Sequence, residues 1–235
     1  MISNKQKAEV LARIREIETF VISPGDGVTI GAVCTLVAAE SAELAKSSDS
    51  LRPILRTALV INWRESAMES RCKRFAAMFP EISTLLALKR VMDKTKPVEF
   101  CKTHLNIRAT TGKNPKYQLL KELTEGFLEY QKKYCESSEI EAIRHWSKNV
   151  RLDDLKNDFM GKRHGVGPAV VGNIRLCLGE RVVKEDRHVI GVVKKFLQID
   201  ISPGEYNHFA TSIRMDPRYL DCILFKYGQA KNISA

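Results

Sequence analysis

The sequence has no CxxC pair. Its six cysteines (Cys34, Cys72, Cys101, Cys135, Cys177 and Cys222) stand far apart, and no histidine accompanies them at zinc-ligand spacing. That excludes a zinc site or dithiol motif recognisable from spacing, and no metal is expected. Most of these cysteines fall in apolar helical stripes, so they are expected as reduced core residues of an intracellular protein. Long apolar runs are missing too: the longest, residues 29–39, is well short of the ~20 residues that span a bilayer. The start, MISNKQKAEV, is polar and carries no signal-peptide core. A cytoplasmic protein without a membrane partner is the expectation. No run longer than four residues alternates as a strand does, and there is no internal repeat or low-complexity segment. Sheet architectures are thereby disfavoured.

What remains is helical periodicity and positive charge. The 235 residues hold 38 Lys and Arg against 28 Asp and Glu, a formal charge of +10 that favours a polyanionic partner. Cut at residue 150, the excess divides into about +6 and +4, so no basic tail carries it. Apolar stripes predict helices over 7–21, 29–46, 51–59, 68–79, 82–91, 120–134, 140–146, 152–160, 168–178, 189–197 and 220–227. SPGDG at 23–27 and SPGEY at 202–206 read as turns, and the basic stretch 93–117 as short turns or a long loop. The glycines at 25, 27 and 31 have neither the spacing nor the βαβ context of a dinucleotide fingerprint.

Residues 165–197, GVGPAVVGNIRLCLGERVVKEDRHVIGVVKKFL, hold the most information. Gly165 and Gly167 make a tight turn, and Pro168 suits a first helical turn because its missing N–H had no partner there anyway. Helix 152–160, hairpin 161–167 and helix 168–178 form a helix-hairpin-helix. Its second helix would offer unpaired backbone N–H groups to a phosphate without an intervening side chain. Lys162, Arg163 and His164 add charge beside it. Such contacts grip the nucleic-acid backbone and do not read sequence. Asp186 stands where the next helix begins, which is also the place of an ordinary helix cap worth roughly 1 kcal/mol. His188 is read as a structural hydrogen-bonding residue.

Gly-Val-Gly-Pro-Ala at 165–169, followed by Leu178-Gly179, Val182-Val183 and Asp186-Arg187-His188-Val189, resembles the helix-hairpin-helix DNA glycosylase superfamily, the endonuclease III-like proteins. The resemblance is specific over residues 152–197 and extends, as an order of helices, from Leu51 to the last helix. It implies an all-α, two-lobed fold: N-terminal helices at 1–50 packing with the C-terminal ones, a helical barrel lobe at 51–150, the hairpin and catalytic segment at 151–200, and a C-terminal helix at 201–235. It also implies double-stranded DNA bound through Lys162, Arg163, His164, Gly165, Val166, Gly167 and Ala169, with a base flipped out of the duplex. Asp186 matches the family's essential aspartate. Residues 62–64 fall where family members probe DNA, which makes Trp63 and Arg64 candidates for the base pocket or the probe.

The departures carry chemistry of their own. Bifunctional members have a lysine where this chain has Ala169, so the resemblance implies a monofunctional glycosylase that hydrolyses the N-glycosidic bond and leaves an abasic site. Lys162 and Lys184 are the alternative amines, and spacing favours neither. No cysteine quartet follows the last helix, so no iron–sulfur cluster and no other cofactor is expected. Glu185 replaces a usually apolar residue and Gly191 an arginine. The expected protein is a monomer acting in DNA repair or in defence against modified phage DNA. The alternative is a helix-hairpin-helix module that binds DNA without catalysis.

Overall fold

A computed structural model describes residues 3–60, 65–202 and 204–235. The chain divides into two compact units, residues 1–46 with 178–235, and residues 47–177.

The first unit is made from both ends of the chain. Ser3 opens α1 (Asn4–Glu18) with a reciprocal cap shared with Gln6, and the helix buries Val10, Ile14 and Ile17. A short antiparallel hairpin, β1 (Val21–Ser23) and β2 (Val28–Thr29), turns through the glycine-rich segment. It leads into α2 (Ile30–Ala39) and α3 (Ser41–Lys46), so the single helix expected over 29–46 breaks near Glu40. After residue 178 the chain runs without regular structure to α11 (Arg187–Gly191), which continues as a π-helical segment, Val192–Leu197. Two helices close the unit: α12 (Tyr206–Ser212), which begins at the last residue of the turn expected at 202–206 and has no counterpart among the predicted helices, and α13 (Pro217–Ala230). One apolar core joins these pieces, with Ile14, Ile17, Ile30, Val189, Val192, Val193, Leu220, Ile223 and Leu224 among its members.

The cysteine expectation is corrected in this unit. Cys34 on α2 and Cys222 on α13 are joined by a disulfide, with Cα atoms 5.5 Å apart. The reading failed because pairing depends on where two helices pack, and 188 residues separate the partners in sequence. Cys72, Cys101 and Cys177 are free and buried, while Cys135 is free and exposed.

The second unit holds α4 (Leu51–Leu59), α5 (Glu65–Met78), α6 (Leu85–Lys94), α7 (Pro97–Thr103), α8 (Pro115–Tyr134), α9 (Glu139–Asn149) and α10 (Pro168–Cys177). The 20-residue α8 is its spine, burying Leu119, Leu120, Leu123 and Phe127. Trp146 of α9 lies 1% exposed against Phe127, ring centroids 5.3 Å apart, and is a core residue. Within the stretch expected to be irregular, α7 forms where Pro97 supplies a first helical turn and Phe100 and Cys101 an apolar side.

The helix expected over 152–160 is absent, which corrects the first arm of the hairpin motif. Residues 152–165 run instead through successive turns, Asp154 N–H to Arg151 O, Asn157 N–H to Asp154 O and Asp158 N–H to Leu155 O among them. The cause is a side chain. Asp158 Oδ1 accepts the N–H groups of Met160 and Gly161, each at 2.9 Å, and the indole Nε1–H of Trp146 at 2.8 Å. An aspartate satisfying nearby backbone donors in this way competes directly with the helical ladder.

Among the described residues the fold is mostly helical, with the β1–β2 pair its one sheet. Among the described residues no helix is long and apolar enough to cross a membrane.

Candidate functional site

The glycine turn lies in the second unit and is fixed from below. Gly161 packs so closely that a Cβ there would stand 1.9 Å from the Leu155 carbonyl oxygen, so glycine is required. Arg163 folds back onto α8, pairing with Glu122 at 3.2 Å and with Glu129. Its side chain is 17% exposed. The predicted DNA-binding residues therefore separate: Arg163 is engaged with α8 carboxylates, whereas Lys162 and His164 are exposed. Val166 is buried and anchors the turn.

Gly165 has φ +82°, the left-handed conformation in which a side chain is strained. Gly167 has open space where a Cβ would be, and its carbonyl receives Val170 N–H at 2.9 Å and Val171 N–H at 3.1 Å. Pro168 and Ala169 follow, both exposed, in the first turn of α10. Glycine at the cap position leaves no side chain over the end of the helix, where the backbone dipole is positive. At its other end α10 is tied to α9: Arg175 donates from Nε to Ser147 O at 2.8 Å and from a terminal nitrogen to Val150 O at 2.9 Å.

Charge follows the units and not the halves of the sequence. Residues 47–177 carry 24 Lys and Arg against 15 Asp and Glu, and the remainder 14 against 13. Nearly the whole excess, +9 of +10, thus belongs to the unit that bears the glycine turn. The same unit has a cavity of about 600 Å³ floored by Leu55, Cys72, Phe75 and Ile82, with Arg52 and Glu69 paired at 3.4 Å on its wall. Among the described residues, none of the candidate catalytic or DNA-binding residues lines it.

Asp186 belongs to the first unit, at the end of a segment without regular structure that is held by other residues' side chains. Val183 N–H donates to Asn207 Oδ1 and Lys184 N–H to Asp221 Oδ1, both at 2.7 Å. Glu185 uses its carboxylate to accept Gly204 N–H at 2.7 Å, which accounts for an acid where the resembled family has an apolar residue. Asp186 caps α11 through Oδ1, accepting His188 N–H at 2.9 Å and Val189 N–H at 3.0 Å. Its other oxygen, Oδ2, is 3.1 Å from Lys184 Nζ, and the two side chains are 12% and 13% exposed. His188 holds the Ile233 carbonyl through Nδ1 at 2.8 Å, the structural role expected of it. Gly191 lets the chain near Ser234 pass, since a Cβ would stand 2.5 Å from the Ser234 carbonyl carbon.

Two members of this site hold places that the sequence does not show, although Lys184 is one of the two alternative amines weighed there. Lys184 is one, its ammonium also 5.2 Å from the centre of the Phe225 ring. Asp221 is the other, a carboxyl only 9% exposed. Burial, aided by nearby Asp186, raises Asp221 to about 7 against the opposing pull of Lys184, its N–H bond and Arg218. A signal for Asp221 was present: it interrupts the apolar run Leu220-Asp221-Cys222-Ile223-Leu224 with a charge. Lys184 had none, because nothing in sequence marks which lysine folds onto Asp186.

Trp63 and Arg64 lie outside the described residues. Among those described, no group of three or more His, Cys, Asp or Glu is placed to hold a metal ion. Neither family models, curated proteins nor solved structures give a match to this chain.

Proposed function

We propose that this protein is a DNA N-glycosylase of the helix-hairpin-helix type. It hydrolyses the bond between a damaged or modified base and its deoxyribose in double-stranded DNA, acting as a cytoplasmic monomer in repair or in defence against modified phage DNA. Asp186 is its carboxylate and the turn at Gly165–Gly167 its grip on phosphate.

The observation that carries the reading is the division of labour between the oxygens of Asp186. Oδ1 is fixed by two backbone N–H groups, and Oδ2 meets a cation, the Lys184 ammonium at 3.1 Å. Cleavage of an N-glycosidic bond builds positive charge on the sugar. A rigidly held carboxylate with one oxygen turned to a cation suits that charge and can also orient water. The concentration of charge in residues 47–177 and the uncovered start of α10 support the polyanionic substrate. Ala169 offers no amine, so the product is an unbroken strand with an abasic site.

The test is base release from a panel of DNAs carrying alkylated, oxidised, mismatched and phage-type modified bases, scored as abasic sites. Release from at least one substrate, lost in Asp186→Asn, is expected. Asparagine retains a capping oxygen, so the fold survives the change.

A second reading has its own observation. Both Asp186 oxygens are already occupied, as in a purely structural cap. A DNA-binding module without catalysis would bind duplex DNA with a steep salt dependence and release no base from any member of the panel.

A further inference from the structure

Asp221 lies in α13, 35 positions beyond Asp186 in the sequence, yet the two carboxyls meet the same residue. Lys184 gives its backbone N–H to Asp221 Oδ1 at 2.7 Å and its side-chain ammonium to Asp186 Oδ2 at 3.1 Å. One lysine is therefore held at one end by a buried carboxyl and spends its charge at the other on the carboxylate assigned to the sugar. We propose that Asp221 is a positioning residue for Asp186: through Lys184, its ionisation decides how firmly the ammonium covers the Oδ2 oxygen that the sugar must reach. This inference rests on the glycosylase reading.

The electrostatics run in one direction. The charges acting on Asp221 are Lys184 and Asp186 from the capping segment and Arg218 from α13 itself. A neutral Asp221 leaves the Lys184 ammonium to Asp186. An ionised Asp221 adds a second negative charge and draws the ammonium away, which uncovers Oδ2. Asp221 is released from its proton at about 7, so the exchange falls near neutral pH. Opposite signs identify the partners: Lys184 favours the ionised form of Asp221 and Asp186 opposes it.

Two measurements on the full chain test this. Carboxyl carbon NMR follows Asp221 through its titration in the wild type, Lys184→Met and Asp186→Asn, without any DNA. The titration is expected to move up in Lys184→Met and down in Asp186→Asn, by roughly half a unit or more. Base release is then followed between about pH 6 and about pH 8. The wild type is expected to gain activity as Asp221 ionises. Asp221→Asn, which keeps an oxygen for Lys184 N–H, is expected to lose that rise.

An Asp221 titration indifferent to both neighbours overturns the proposal, as does an unchanged pH profile in Asp221→Asn. If no DNA releases a base while Asp221 still responds to Lys184 and Asp186, the glycosylase reading falls and the coupling stands. If base is released with the same profile in Asp221→Asn, the coupling falls and the glycosylase reading stands.

Discussion

The indole N–H of Trp146, in the core of the second unit, ends on Asp158 Oδ1 at 2.8 Å, and the same oxygen accepts the N–H groups of Met160 and Gly161. A core side chain thereby fixes the path of the chain into the glycine turn. Replacing Asp158 by alanine leaves a buried indole donor and two backbone donors to find other partners. Asp158→Ala is expected to lose about 2–3 kcal/mol of stability, read by denaturant unfolding with circular dichroism as the probe. A loss below about 0.5 kcal/mol would show that the aspartate does not shape this segment.

Gly126 on α8 lies under the same segment. A Cβ at this position would stand 2.5 Å from Arg163 Nε and 2.6 Å from Met160 Sδ. Gly126→Ala forces two packed side chains to shift and is expected to cost about 1–2 kcal/mol in spite of alanine's better helix propensity. Thermal unfolding decides it, and a stabilised variant would contradict the packing described.

Lys162 and Arg163 are neighbours with different surroundings, and DNA binding can tell them apart. Lys162→Ala should leave stability within about 0.5 kcal/mol of wild type and flatten the slope of log K against log salt by about 0.9, one phosphate contact. Arg163→Ala should lower stability by removing the partner of Glu122 and Glu129, with little change in the salt slope. Fluorescence anisotropy with duplex DNA at several salt concentrations measures both, and a reversed pattern would reject the assignment.

Most helices were legible because an apolar stripe needs only a local period. α4, α8, α9, α10 and α13 stand where Leu51-Ile54-Leu55, Leu120-Leu123-Phe127, Ile140-Ile143, Val171-Ile174 and Leu220-Ile223-Leu224 place them. The failures are places where a distant partner decides. Leu152, Leu155 and Phe159 have a helical period, but Trp146 recruits Asp158 to cap turns instead. Asp186 was legible as a cap, whereas its ion pair with Lys184 and the link to Asp221 depend on α13 packing beside it.

Stability should depend on pH through Asp221. In the folded protein it holds its proton up to about 7, against an ordinary 3.8, so between those values the folded state binds the extra proton. The stabilisation linked to this group is complete below 3.8 and is lost as pH rises through about 7. Melting temperatures should for this reason fall from about pH 5 to about pH 7 and level off above about pH 8, and Asp221→Asn should flatten that decline. An identical decline in the variant would assign it to other groups.

The Cys34–Cys222 disulfide ties α2 to α13 within the first unit. Its loss, by reductant or in Cys34→Ser/Cys222→Ser, is expected to cost about 2–5 kcal/mol. Calorimetry with and without reductant measures the loss, and intact mass under non-reducing conditions confirms the bond. An unchanged melting temperature on verified reduction would remove the bond from the account of stability.

The first unit is completed only by residues from both sides of the second. On the ribosome, Val10, Ile14 and Ile17 emerge early with α2 beside them, but the rest of their core comes from residues after 178. The inserted unit is roughly 130 residues long, so synthesis at ~5–20 residues per second imposes a wait of about 7–26 s between the two parts of the first unit. The uninterrupted second unit can fold during that interval, while Cys34 remains a thiol until Cys222 is made. Nascent chains therefore pass through a stage with a finished basic unit and an open apolar helix, the stage at which a chaperone has most to hold.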